Sequence, residues 1–487
     1  MFYTKPKTIL STLALSITLA IALHLPITVY AVPASYSVTT ITVGNAPAFQ
    51  VYDPINGNVY VANSGSNTVS VISSSTNTVI ATIGVGSSPA WISWNPANGD
   101  VYVSNDASAT VSVISGTTNT VITTIPVMSN PHMISFDFAN GDIYVGSQSS
   151  NVVARISSVT NIPTFIPVGS GPAHIIYNVV NHDMYASNYY SNTVSRIDST
   201  TNLETATIPV GPTPAYLLFD PANGNVYVPN YASNFVSVIS SSTNTVVTTI
   251  VVGSSPIGAF FDPANNDVYV MNRFSSFVSV IDSTTNTVVA SVSVGTAPSW
   301  AAYNPLVNSE FVNVEPPVSP PSTTPNTVAV IDSGTLTVTA TIAVGPSPHQ
   351  TVYDFTNGEI YVANLGSNTV SAISISKATT STSVMCAATT IRDHKSTTCT
   401  ATVTDDPPFI GPPTGTVSWT CSPSPCGFFT PTSCTLGSAP ATSTSASCSV
   451  SFTSMAGKPT AVTITASYNG DTTHTSSSGS IVITSGT

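Results

Sequence analysis

A Tyr-Val-x-Asn signature returns along this chain at an almost constant interval, so the chain has to fold as an array of one small unit and not around a single composite core. It stands at Tyr60-Val61-Ala62-Asn63, Tyr102-Val103-Ser104-Asn105, Tyr144-Val145-Gly146-Ser147, Tyr185-Ala186-Ser187-Asn188, Tyr227-Val228-Pro229-Asn230, Tyr269-Val270-Met271-Asn272, Phe311-Val312-Asn313-Val314 and Tyr361-Val362-Ala363-Asn364. Successive first residues are 42, 42, 41, 42, 42, 42 and 50 positions apart.

Each unit reads as strands alone. In the first, strand-like segments at 47–52, 58–62, 68–73 and 78–85 are separated by turns, of which Asp53-Pro54-Ile55-Asn56-Gly57 is the clearest. Pro presets φ for a turn and Asn-Gly supplies positive φ, while the fourth segment is rich in β-branched residues that suit a pleated, half-buried surface. Four strands in each repeat mark a β-propeller, one four-stranded blade per unit. The chain opens on a fourth strand at 36–43, and its last unit, 348–375, has only three. The N-terminal strand is therefore expected to complete the last blade, which gives eight blades in a ring without exposed edges.

Here the chain resembles the YVTN family of β-propeller repeat proteins, which includes archaeal surface-layer-type and periplasmic bacterial members. The resemblance rests on the Tyr-Val-x-Asn signatures, the Thr-Val-Ser-Val-Ile strands at Thr68 and Thr110, and the Val-Gly-x-x-Pro turns at Val43, Val85, Val210, Val252, Val294 and Val344. It spans 35–376; members often have seven blades, so eight is a departure. From Lys377 the repeat stops, and short strand-like stretches at 396–403, 415–420, 446–452, 461–468 and 480–484 suggest a β-sandwich over 377–487. Thr397 to Val403, Pro413 to Val417 and Ala466 to Asp471 resemble bacterial-type Ig-like repeat domains of exported proteins, which implies a spacer or adhesion module.

The N-terminus has Lys5 and Lys7, an apolar run from Thr8 to Val29 and the small-residue site Val29-Tyr30-Ala31. That order predicts a secretory signal over 1–31, although the run is also long enough for an uncleaved anchor. No later membrane span is expected, and the protein is expected to be extracellular or on the cell surface. Only 6% of residues are charged, the net charge is -12, and between Val32 and Ser376 the cations besides His are Arg155, Arg196 and Arg273. Too few cations are present to neutralise phosphates, which excludes nucleic acid as a partner. All six cysteines, Cys386, Cys399, Cys421, Cys426, Cys434 and Cys448, lie in the last quarter. Six cysteines in an exported module allow fifteen connectivities; local pairing in the order of the chain is the expected one.

Loops between second and third strands share one propeller face with the turns that follow the fourth strands, and function is grafted on such loops. Most are bland, but Tyr189, Tyr190, Tyr231, Arg273, Phe274 and Phe277 fall in three successive units, and a Pro-rich insertion, 315–325, follows. These side chains, with Tyr216 and Trp300 near the channel mouth, are the candidate binding patch, since Tyr and Arg most often anchor binding. His132, His174 and His349 follow the Pro of their turns, but units three, four and eight do not lie together, so no metal is expected. Asp53, Asp220, Asp262 and Asp354 read as turn carboxylates that accept backbone N–H bonds, and Arg155 and Arg196 either pair with nearby acids or touch an anionic partner.

No paired carboxylates or Ser-His-Asp set stands out, and only Trp91, Trp94 and Trp300 fall in the propeller, against the Trp docking motif repeated through eight-bladed quinoproteins. The expected function is a non-enzymatic exported protein without cofactor, its propeller a binding or surface-layer-like scaffold for an unknown protein or glycan of the cell envelope. The alternative is a propeller enzyme, either a lyase or a quinone-cofactor oxidoreductase, or a periplasmic ligand-binding protein.

Overall fold

Asn and Gly residues take the positive φ that reverses the chain at many turns, for example Gly57 (68°), Asn67 (57°) and Asn77 (54°) in the first unit, and residues such as Ala46, Ser88 and Ser255 take it ahead of the strand-opening Pro; the segments between turns pair as antiparallel strands. The computed structural model describes residues 36–315, 326–406, 412–439, 443–455, 461–471 and 473–486. The N-terminal signal and the Pro-rich insertion beyond Glu315 lie outside the described residues.

Eight four-stranded sheets form a β-propeller. Blades one to seven occupy 47–84, 89–126, 131–167, 172–209, 218–251, 256–293 and 298–343; blade eight is 348–375 closed by the N-terminal strand. That strand, Tyr36–Thr42, pairs antiparallel with Thr369–Ile375 from Tyr36 against Ile375 to Thr42 against Thr369, as expected, so the two ends of the array are held by a full sheet edge. Among the described residues the propeller has no α-helix, only a short 3-10 turn at Asp106–Ser108.

Burial follows strand position. Second strands such as Asn58–Asn63 are buried throughout, whereas fourth strands such as Thr78–Gly84 alternate exposed and half-buried residues, because only one of their faces meets a neighbouring blade. The signature tyrosines are fully buried. The signature asparagine ties its own blade: Asn63 Nδ2 donates to Thr68 Oγ1 at 3.2 Å and Ser70 Oγ at 3.0 Å. It also explains the glycine of Val-Gly-x-x-Pro, since a Cβ on Gly86 would stand 2.7 Å from Asn105 Cγ. Where Ser147 replaces the asparagine, Met128 replaces the glycine, whereas Val314 in the asparagine's place keeps Gly295, whose Cβ would stand 2.8 Å from Val314 Cγ1; the two sites share one volume.

Residues 380–486 form two further sheets around one apolar core that includes Val403, Trp419, Phe429, Phe452, Ile464 and Tyr468. One sheet has four strands, with Thr380–Cys386 and Gly427–Thr430 at its edges; the other has five and includes Thr390–Arg392 and Ser433–Thr435, short strands that the sequence reading passed over. Disulfides join Cys386 to Cys399, Cys421 to Cys426 and Cys434 to Cys448, the local pairing expected. Three disulfides fit an oxidising compartment, extracellular or periplasmic. Among the described residues no helix is long and apolar enough to cross a membrane.

Candidate functional site

Two rings of side chains, one residue per blade, build the mouth of the channel on the face that carries the Val-Gly-x-x-Pro turns. The inner ring follows from a bulge. Each of seven innermost strands opens at Pro, and its register then shifts, between Pro47 and Phe49 in blade one and between Pro172 and His174 in blade four, for example. A bulge re-aims the side chains beside it, here towards the axis. Phe49 and Trp91 rings meet at 3.8 Å, and Trp91 reaches Trp300 of blade seven at 5.9 Å and Tyr216 of blade five at 5.8 Å. The axis is thus filled by aromatic rings, with the imidazoles of His349, His132 and His174 packed against them.

The rim ring is the residue after each signature: Ser64, Asp106, Gln148, Tyr189, Tyr231, Arg273, Glu315 and Leu365. In seven blades its backbone N–H donates to the carbonyl just before the strand-opening Pro, as Tyr231 to Thr213 at 2.9 Å and Arg273 to Ser255 at 3.0 Å. A repeated backbone bond therefore holds a position whose side chain varies from blade to blade, Tyr alone occurring twice.

Between the rings, a cavity of about 240 Å³ is lined by His132, Gln148, His174, Tyr189, Tyr216 and Tyr231, among others. Room for it comes from blade five, whose innermost strand is reduced to Leu218–Phe219; ahead of it the Tyr216 N–H donates across to Ile257 of blade six at 3.1 Å. His174 is 5% exposed. Its Nδ1 accepts from the Leu217 N–H at 3.1 Å, so Nε2 carries the proton. Burial, then the neighbouring His132, push its pKa down to about 3. Burial also lowers the pKa of His132, against the opposing pull of Asp106 and the Ala173 carbonyl, and its Nδ1 has no hydrogen-bond partner. Burial lifts the Tyr216 hydroxyl to about 12, with Arg273 opposing.

The expected patch is divided by the structure. Tyr189, Tyr216 and Tyr231 line the cavity. Tyr190 (62% exposed) stands against Tyr189 at 5.2 Å and Phe274 (70% exposed) against Tyr231 at 6.1 Å, both on the open side. Arg273 pairs with Glu315 of the next blade at 2.6 Å. Trp300 belongs to the axial cluster. Phe277 is half-buried in the third strand of blade six, its carbonyl accepting from Asn272 Nδ2 at 3.1 Å.

The histidines differ from expectation: His132 and His174 lie on one cavity, and His349 is close enough to Glu315 and His132 to feel both. His349 Nδ1 donates to the Ala48 carbonyl at 3.1 Å. Their spacing from Pro concealed this, because His132 stands one residue after it and His174 two. Among the described residues no three His, Cys, Asp or Glu side chains are grouped to hold a metal. Away from the mouth, the turn residues Asp53, Asn95, Asp220, Asp262, Asn304 and Asp354 accept the N–H two positions on, at 2.7 to 2.9 Å. Arg155 pairs with Asp142, and Arg196 with Asp183 at 2.5 Å.

No family model matches the chain, and no curated protein matches it. Among solved structures, hydrazine synthase of Kuenenia stuttgartiensis aligns over 58% of this chain and 94% of its own, at 17% identity and a TM-score of 0.47. The dihydro-heme d1 dehydrogenase NirN aligns over 66% and 72%, at 13% identity and 0.55, and streptogramin B lyase over 70% and 98%, at 12% identity and 0.46. At such identity the likeness shows the fold alone. All three neighbours are enzymes by title, which counts against the expectation of a non-enzymatic scaffold, and that expectation is withdrawn; the likeness itself assigns no activity to this chain.

Proposed function

We propose that this chain is an exported propeller enzyme that binds a small molecule in the His132–His174 cavity and acts on it by proton transfer, as a lyase. The observation that carries this reading is the pair of neutral imidazoles on one cavity, one fixed by Leu217 as a donor and the other with a buried Nδ1 that has no hydrogen-bond partner. A base and a preorganised donor are the minimum for elimination next to a carbonyl. His132 Nδ1 takes the proton from carbon, the C–H electron pair becomes the new C=C bond, and the leaving group departs with its own bonding pair. His174 Nε2–H hydrogen-bonds the carbonyl oxygen while negative charge builds there.

The quinone-cofactor reading has less support, since the mouth offers an anionic cofactor one arginine already paired with Glu315. The partition into signal (1–31), YVTN-type propeller (35–376) and Ig-like module (377–487) belongs to the same proposal, supported by the repeats, the N-terminal pattern and the three disulfides. So does placement at the cell envelope, where a protein or glycan partner fits a surface poor in cations and nucleic acid does not.

The test is a panel of small esters and acids with an acidic C–H beside a carbonyl and a leaving group one carbon further, followed by the ultraviolet absorbance of the conjugated alkene. Turnover that vanishes in His132→Ala while the fold is retained supports the reading. Binding without turnover would favour the periplasmic ligand-binding alternative, and turnover unchanged in His132→Ala would remove the cavity as the active site.

A further inference from the structure

We propose that the face opposite the mouth docks on an uncharged lipid surface, which it meets with the tips of the turns between first and second strands. First strands run from their Pro at the mouth to these turns, so the turns ring the far end of the axis. Just after the opening Asp or Asn, Ile55, Phe138, Val179, Val180 and Phe355 stand between 49% and 75% exposed. Their places in the repeat are equivalent, which puts them at one level, and exposed apolar patches of this kind mark interaction sites. The Phe138 ring reaches Tyr177 of the next blade at 5.5 Å. Inside the ring of turns a cavity of about 500 Å³ is walled by Trp94, Phe136, Ile176, Tyr177 and Phe219, among others, and gives the hydrocarbon a place to enter.

Charge and hydrogen bonding select lipid as the occupant. The eight turns contain no Lys, Arg or Glu, and their acids, Asp53, Asp137, Asp220, Asp262 and Asp354, are buried beneath the tips. The turns also spend polar groups on themselves. Asp137 Oδ1 accepts from the Ala139 N–H at 2.8 Å, Asn178 Oδ1 from Val180 at 2.8 Å and Asp354 Oδ1 from Thr356 at 2.7 Å. The Gly141, His182 and Gly358 N–H groups close the same turns at 2.9 Å. Backbone that enters hydrocarbon has to be satisfied internally in this way. The chain joins the ring on this face as well: Tyr36 pairs with Ile375 at the end of a third strand farthest from the mouth, and the apolar run Thr8 to Val29 lies just ahead of it, with only 30–35 between. A chain tethered by that run turns this face to the bilayer. At the mouth the rim carries Asp106, Arg273 and Glu315, charges that oppose such contact.

Flotation of the full mature chain, from Val32 onward, with phosphatidylcholine vesicles tests the proposal without help from the apolar run. The protein is expected to float equally at low and high salt and to gain nothing from added phosphatidylserine, because contact is apolar and no charge takes part. Phe138→Ser, Val180→Ser and Phe355→Ser together should lower the partition onto vesicles at least about tenfold. Tyr190→Ser with Phe274→Ser, which removes exposed aromatics of the mouth, should leave it unchanged. Near-ultraviolet circular dichroism of the axial tryptophans reports that each variant is folded. Failure of the unaltered protein to float, flotation that needs anionic lipid and is lost at high salt, or equal loss in both variants overturns the proposal. Sedimentation velocity without vesicles covers the other occupant: an oligomer that the triple variant returns to monomer would assign this face to a second copy and overturn the lipid reading.

Discussion

The hydroxyl of Tyr60 donates to Asn119 Oδ1 at 2.6 Å, tying the second strand of blade one to the outer turn of blade two. The same bond recurs from Tyr144 to Asn202, Tyr185 to Asn244 and Tyr227 to Asn286 at 2.7 to 2.9 Å, and it crosses the ring closure from Tyr361 to Asn77 at 2.7 Å. Each of these asparagines also supplies the positive φ of its turn. Phe311 breaks the pattern where no acceptor exists: its forward neighbour is blade eight, whose third and fourth strands belong to opposite ends of the chain and share no turn. Tyr36 packs edge-on against the Phe311 ring instead, at 5.7 Å.

Tyr227→Phe is therefore expected to cost about 1–3 kcal/mol, because Asn286 Oδ1 loses a buried donor. Phe311→Tyr should bring no gain, having no partner to meet. Urea denaturation at equilibrium measures both, and equal effects at the two sites would refute the blade-to-blade role of the hydroxyl.

Gly86→Ala should destabilise by about 1–3 kcal/mol through overpacking against Asn105. Combining it with Asn105→Ser, the pairing that Met128 and Ser147 already use, should recover part of the loss. A thermal melt of the two single variants and the double variant checks whether the sites are coupled.

Glu310 occupies the place of Val59, Val101 and Val226 in other blades. It is fully buried, neither carboxylate oxygen has a hydrogen-bond partner, and burial followed by Asp262 raises its pKa well above the usual value. A carboxyl raised in the folded state favours folding below its unfolded pKa of about 4 and loses that advantage as pH rises through the folded value. Glu310→Val should accordingly stabilise the propeller, by more at pH 7 than at pH 5. The difference between variant and parent is the quantity to measure by calorimetry, because the buried neutral histidines give the parent an opposite trend. A benefit independent of pH would show that Glu310 is not titrating.

The base must be unprotonated, and burial lowers the pKa of His132, so kcat/KM should hold steady from neutral into mildly acidic pH and fall only below that lowered value. Asp106 opposes the burial effect. Asp106→Asn should therefore move the acidic limb to still lower pH, and a limb that stays in place would remove His132 as the titrating group.

Blade count, ring closure and disulfide pairing were legible because each depends on contacts a few residues apart or on a repeat that any reader can align. Rim residues from Asp106 to Glu315 were legible as a variable column in an otherwise constant unit, although only Tyr189, Tyr231 and Arg273 were picked out. The proximity of His132 and His174 was not, since it depends on bulges that no residue type announces. Nor was the meeting of Trp91 with Trp300, which come from blades two and seven.

By itself, the sequence determined a ring of eight near-identical blades, since turn φ values, strand alternation and the Gly–Asn contact are set by neighbours within one repeat. Tertiary structure alone decided the site. Closing the ring points the bulged residues of seven blades at a common axis, and side chains of four blades, from His132 to Ile257, then share one small volume in which charge, tautomer and packing are fixed together.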